Sequence, residues 1–116
     1  MTEPVYKICT KAEWRPAEAA GRYTGSAVDR QDGFIHFSTA AQVKETAAKH
    51  FAGQVDLVLV AVDTDGLGDA LKWEPSRGGA LFPHLYGALA TEYVLSVTPL
   101  PLGDDGQHLF PADLMS

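Results

Sequence analysis

Apolar and polar positions along the 116-residue chain change period several times, and each change marks an element. Val55 to Val62 is apolar apart from Asp56 and rich in β-branched residues. Such a run predicts a central strand with both faces covered. Val43, Ala47 and Phe51 recur at helical spacing, with Ala40 and His50 beside that stripe and Lys44, Glu45 and Lys49 off it. The pattern predicts an amphipathic helix of about three turns, stopped by Gly53. At its start, Thr39 with Gln42 offers a reciprocal capping box, and Ser38 is an alternative cap. Val5 to Cys9 reads as a first strand. Thr10 and Glu13 form a second possible capping box. Pro16 interrupts the helical stretch Lys11–Ala20, which predicts a turn with Trp14 buried and a restart at Pro16, ending at Gly21. Tyr93 to Val97 reads as a late strand, reaching towards Leu100 and closed off by Pro99 and Pro101.

Other stretches carry weaker periods. Arg22–Arg30 reads as a loop or short irregular strand, and Asp63–Asp69 as a turn-rich link to a short strand around Leu71–Trp73. Glu74–Tyr86, with two prolines and two glycines, reads as a long loop. Gly103–Gly106 is a turn and Leu109–Leu114 a terminal tuck. Helices before strands, around one apolar strand, predict a single α+β domain over 1–116 with two helices in its first half.

Composition narrows the function classes. A 46% hydrophobic, 21% charged chain is globular in make-up. A net charge of −6 and no lysine or arginine cluster argue against non-specific nucleic-acid and anionic-membrane binding. The single cysteine, Cys9, excludes an intrachain disulfide and reads as a small core residue. No apolar run approaches the ~20 residues of a membrane span, and Met-Thr-Glu-Pro lacks a signal pattern, so the expected location is the cytoplasm.

Candidate chemistry gathers in two stretches. In Asp32–Thr39 (Asp-Gly-Phe-Ile-His-Phe-Ser-Thr), strand alternation puts Phe34, His36 and Ser38 on one face and Ile35 and Phe37 on the other. His36 and Ser38 could bond a ligand's hydroxyl or carbonyl groups, and free N–H groups at the helix start near Thr39 suit an anion. A structural histidine beside a helix cap is the plain alternative. The second stretch, Trp73–Gly87, supplies Arg77 ahead of two glycines, and His84 and Tyr86 in Phe-Pro-His-Leu-Tyr-Gly. Arg77 could grip a carboxylate or phosphate, with Trp73 and Phe82 as an apolar wall. The two stretches are expected to face each other across one pocket. His50 reads as a packed core histidine and His108 as a solvent-exposed one. A metal on His36, His84 and Glu74 is disfavoured, because no His-x-His or His-x-x-x-His pair occurs. No nucleophile elbow, Walker loop or Rossmann fingerprint is present.

The same two stretches, with Trp-Glu-Pro-Ser-Arg-Gly-Gly-Ala-Leu-Phe-Pro-His-Leu-Tyr-Gly as the second motif, resemble the bacterial domain-of-unknown-function family 952 over nearly the whole chain. That resemblance implies an ADP-ribosylation-like fold, a split α+β sheet with mixed or antiparallel strands. Relatives of that fold bind NAD or a related substrate, with a strand-borne histidine on a ribose hydroxyl. The resemblance assigns that role to His36, with Ser38 assisting, and makes Glu92 the candidate for an acidic residue near a late strand. The expected function is binding of a small anionic or nucleotide-like ligand, NAD or ribose-phosphate in type, with no other cofactor. An ADP-ribosyltransferase or RNA 2′-phosphotransferase activity is one alternative, and a ligand-free structural or protein-interaction domain is another.

Overall fold

The structure, a computed structural model, describes residues 3–75, 79–111 and 114. Strand β4 (Leu57–Val62) is buried along its whole length and forms the centre of an antiparallel sheet, between β1 (Val5–Thr10) and β8 (Val94–Leu100). Its side chains alternate between two cores, as a strand covered on both faces requires. Val58, Val60 and Val62 enter one core with Val5, Cys9, Trp14, Tyr23, Ile35 and Leu85. Leu57, Leu59 and Ala61 enter the other with Tyr6, Ile8, Val43 and Ala47. Each fully buried Val or Leu in these layers contributes about 1.5–3 kcal/mol relative to exposure. The second core is roofed by α3 (Ala40–His50), while Phe51, Phe110 and Leu114 pack at its margin.

A second antiparallel sheet, in the order β3 (Ile35–His36), β6 (Leu81–Leu85), β5 (Leu71–Pro75), lies against the first core through Ile35 and Leu85. An isolated bridge between Tyr6 and Ser38 ties the end of β3 to β1, so one short segment passes from one sheet to the other. A two-stranded ribbon of β2 (Arg22–Tyr23) and β7 (Leu89–Ala90) completes the strands.

Both expected capping boxes form. Thr10 and Glu13 cap α1 (Lys11–Ala20), and Thr39 and Gln42 cap α3. Gly21 ends α1 in the left-handed conformation. Several expectations need correction. Pro16 does not divide α1: it and Ala12 lie on the exposed side, so the Ala12 carbonyl it leaves without an intrahelical partner is on the wet face of the helix. The stretch 22–30, expected as a loop or short irregular strand, does begin with the two-residue β2 but goes on into an unexpected third helix, α2 (Ala27–Asp32), capped by a Ser26–Asp29 box. The presumed loop 74–86 holds the end of β5 and all of β6. His50 is exposed at the end of α3, because its place on the stripe falls in the last turn, beyond the sheet's cover. His108 is buried, with Nε2 2.9 Å from the Gln54 carbonyl oxygen. Among the described residues, no helix is long and apolar enough to cross a membrane.

Candidate functional site

The two chemistry-bearing stretches do not face each other across a pocket. They are neighbouring strands. β3 pairs with β6 so that His36 is in register with His84, and Ile35 with Leu85. In an antiparallel pair, opposite residues share a face. Ile35 and Leu85 therefore enter the core while both histidines occupy the other side, with ring centroids 5.5 Å apart. Phe34 lies over both, stacked on His84 at 4.2 Å and tilted against His36 at 4.6 Å. Tyr86 closes the group, 5.2 Å from the Phe34 ring.

Each histidine is held by a carboxylate. His36 Nδ1 lies 2.6 Å from Asp29 Oδ1, and its backbone N–H donates to the same oxygen at 3.2 Å. Asp29 Oδ2 accepts from Lys7 Nζ at 2.8 Å and from the Ser26 N–H at 2.9 Å. Both Asp29 and Lys7 are buried. Burial alone would raise the Asp29 carboxyl, but the His36 hydrogen bond and the Lys7 ammonium outweigh it and hold it well below the usual carboxylate range. Gly25 makes room for this carboxylate: its φ is +103°, and a Cβ there would stand 2.7 Å from Asp29 Cβ. On the outer side, His36 Nε2 lies 3.0 Å from Asp32 Oδ2.

His84 Nδ1 lies 2.9 Å from Glu74 Oε1, and the Tyr86 hydroxyl donates to that same oxygen at 2.7 Å. These two hydrogen bonds lower the Glu74 carboxyl, and the bond to Glu74 raises the Tyr86 phenol. A carboxylate only accepts, so Nδ1 of each ring is the donor. Among the described residues nothing bonds His84 Nε2. His36, by contrast, faces a carboxylate at each nitrogen.

The remaining candidates are placed as follows. Ser38 is buried and turned away, its Oγ 3.0 Å from Thr46 Oγ1 on α3, and Thr39 serves as that helix's cap. Phe82 is buried and, by alternation along β6, shares the face of His84. Trp73, in register with Pro83, occupies the opposite face and is 47% exposed, so these two rings do not form one wall. Arg77 lies outside the described residues. Glu92 is exposed in the short turn Thr91–Tyr93 and makes no ion pair with the described residues. Lys7, Asp29 and Asp32 had not been singled out. The Ser26-x-x-Asp29 spacing was the available signal for Asp29, and Lys7 sharing a strand face with Val5 and Cys9 was the signal for a buried amine. Cys9 takes no part, since burial pushes its thiol up to about 12. Two clefts lie elsewhere, about 380 Å³ between α1 and α2 and about 460 Å³ between α3 and the 106–110 turn. No three described His, Cys, Asp or Glu side chains are grouped to hold a metal.

A family model described as "Protein of unknown function (DUF952)" matches residues 8–97, which include both histidines and both carboxylates. The chain belongs to this family. The crystal structure of protein CC0527 from Caulobacter crescentus is similar, with 54% identity, 91% of this chain and 93% of that chain covered, and a TM-score of 0.87. The solution NMR structure of CC0527 is similar too, at 55% identity, 90% coverage of each chain and a TM-score of 0.81. No functionally curated protein matches. The likeness to CC0527 extends to the fold, and the DUF952 description names no activity.

Proposed function

We propose that the Phe34/His36/His84/Tyr86 face binds a small nucleotide-like ligand through its ribose and phosphate groups. The observation that carries this reading is the register of His36 with His84, each Nδ1 fixed by its own carboxylate. His36, a third exposed and held in this way, presents an aimed ring edge at low conformational cost, as recognition of a ribose diol requires, while His84 backs it from beneath Phe34. Phe34 and the half-exposed Tyr86 offer ring faces for a base. Lys72, in register with His84 on the same face, offers a cation for phosphate, and Arg77 follows two residues beyond the end of β5. Two separate three-stranded sheets joined by the Tyr6–Ser38 bridge are compatible with the split, ADP-ribosylation-like arrangement that the motifs imply.

Titration calorimetry and thermal shift with NAD, ADP-ribose and nucleoside monophosphates test this reading. Saturation at a hundredfold excess over Kd should stabilise the fold by about 2.7 kcal/mol. Lys72→Ala should weaken the phosphate-bearing ligands more than the free nucleosides. No shift with any of these compounds would sink the proposal and leave a structural or protein-interaction role. A second reading, transfer chemistry on NAD, is favoured by one observation: Glu74 supplies beside His84 the carboxylate that Glu92 does not bring to the site. Release of nicotinamide would be its signature.

A further inference from the structure

The cleft between α1 and α2 has a composition unlike that of the histidine face. Glu13, Pro16, Ala17 and Ala20 line it from one stripe of α1, at i, i+3, i+4 and i+7. Ala17 and Tyr23 are buried and make its floor, while Pro16, Ala20 and Ala27 stand exposed around it. Arg22 and Arg30 also line it, both exposed, and among the described residues neither is ion-paired. We propose that this cleft binds a small organic carboxylate, its apolar body on the Ala17–Tyr23 floor and its carboxylate at the two guanidinium groups. The site is independent of the nucleotide-binding reading, whose failure would leave it intact.

A volume of about 380 Å³ falls at the small end of ligand pockets, which run from about 300 to 1,000 Å³. Arg30 Nη2 donates to Thr24 Oγ1 at 3.0 Å, which ties the guanidinium back to the residue after β2 and leaves its other N–H groups to donate. A guanidinium presents those donors as a planar fork that matches the two oxygens of a carboxylate. Thr24 and Ser26, in the same lining, each accept one bond, from Arg30 and from the Asp29 N–H. Their hydroxyl protons are therefore available to a bound anion. Local charge selects which anion. Glu13 lines the cleft too, its Oε1 accepting from the Thr10 N–H and hydroxyl, and it offsets one of the two positive charges. The single charge left over matches a carboxylate rather than a doubly charged phosphate monoester. In a chain of net charge −6 this is a local reversal of sign. The apolar floor asks the same ligand for a hydrocarbon body.

The test uses the full chain with 4-phenylbutyrate, its neutral amide and 4-phenylbutyl phosphate, followed by calorimetry and by backbone amide chemical shifts. The expected result is saturable binding of the carboxylate, weaker binding of the phosphate, and binding of the amide weaker by about tenfold or more. Shift changes should gather over residues 13–30. Arg22→Gln and Arg30→Gln should each weaken the carboxylate about tenfold or more, with circular dichroism establishing that each variant is folded. Ala27→Trp, which fills the cleft from its exposed side without altering charge, should abolish binding. Lys44→Gln, at the cleft beside α3, should leave it unchanged. Equal affinity for carboxylate and amide, or for wild type and both arginine variants, overturns the proposal, as does a lack of saturation at millimolar probe. Shift changes centred on His36 and His84, or on the 106–110 turn, overturn it by putting the probe elsewhere. Tighter binding of the phosphate than of the carboxylate overturns the choice of anion.

Discussion

The two histidine–carboxylate pairs look alike at the level of two atoms and differ in everything around them. Asp29 is buried, accepts four hydrogen bonds or ion-pair contacts and neutralises a buried lysine. Glu74 is half-exposed on an edge strand and, among the described residues, accepts from His84 and Tyr86. A short nitrogen–oxygen distance therefore says little about what a pair contributes to the fold. That contribution depends on what is left behind when one partner goes. Removing the Asp29 charge strands the Lys7 ammonium inside the protein, whereas removing the Glu74 charge leaves no buried ammonium behind, because the buried partner there is the His84 ring, whose Nδ1 can still donate to an amide oxygen.

The difference can be broken open by substitution. Asp29→Asn should cost most, about 3–5 kcal/mol, as expected when a buried charge loses its partner. Urea unfolding of the variant with an unchanged slope and a much lower midpoint is the expected outcome. The same residue should govern acid stability. Its folded carboxyl lies below the ordinary value of 3.8, so the unfolded chain binds more protons at acid pH. The stability it contributes is present above that value and is lost as pH falls through it towards the lower, folded value. In Asp29→Asn this part of the pH profile should be flat.

Gly25→Ala probes the same pair from the backbone side. A side chain at φ +103° pressed against Asp29 Cβ should cost about 1–3 kcal/mol and loosen His36 without removing any charge. Hydrogen exchange at the His36 N–H, which donates to Asp29, would report it. Smallest is Glu74→Gln, whose unfolding midpoint should stay close to wild type. A large loss there would show that the two pairs are alike after all.

Much of this fold was legible in the chain because its signals are local. β4 announces itself by an unbroken apolar run, α3 by its stripe, and two helix starts by hydroxyl and amide or carboxylate residues three apart. The misread elements each break a local rule for a non-local reason. β6 carries Pro83 in the middle of a central strand, where proline is disfavoured. Burial and the Phe37 N–H, which donates to the Pro83 carbonyl at 3.0 Å, hold it there. α2 is six residues long, too short to display a period. His36, His84 and Tyr86 were identifiable as unusual residues, but their partners were not. Lys7 lies 22 positions before Asp29 and Glu74 lies 10 before His84, and only strand register and helix placement bring them together. Alternation groups Ser38 with His36, yet the strand ends at His36, two residues short of Ser38, so the period does not aim it.

The prolines also bear on how the molecule behaves in a crowded solution. β5 and β8 are outer strands, each hydrogen-bonded on one side only, and each contains a proline, Pro75 and Pro99. A proline withholds the donor that a docking strand would need, so neither border offers a continuous template for another chain. At these two borders, then, the prolines work against strand-by-strand association.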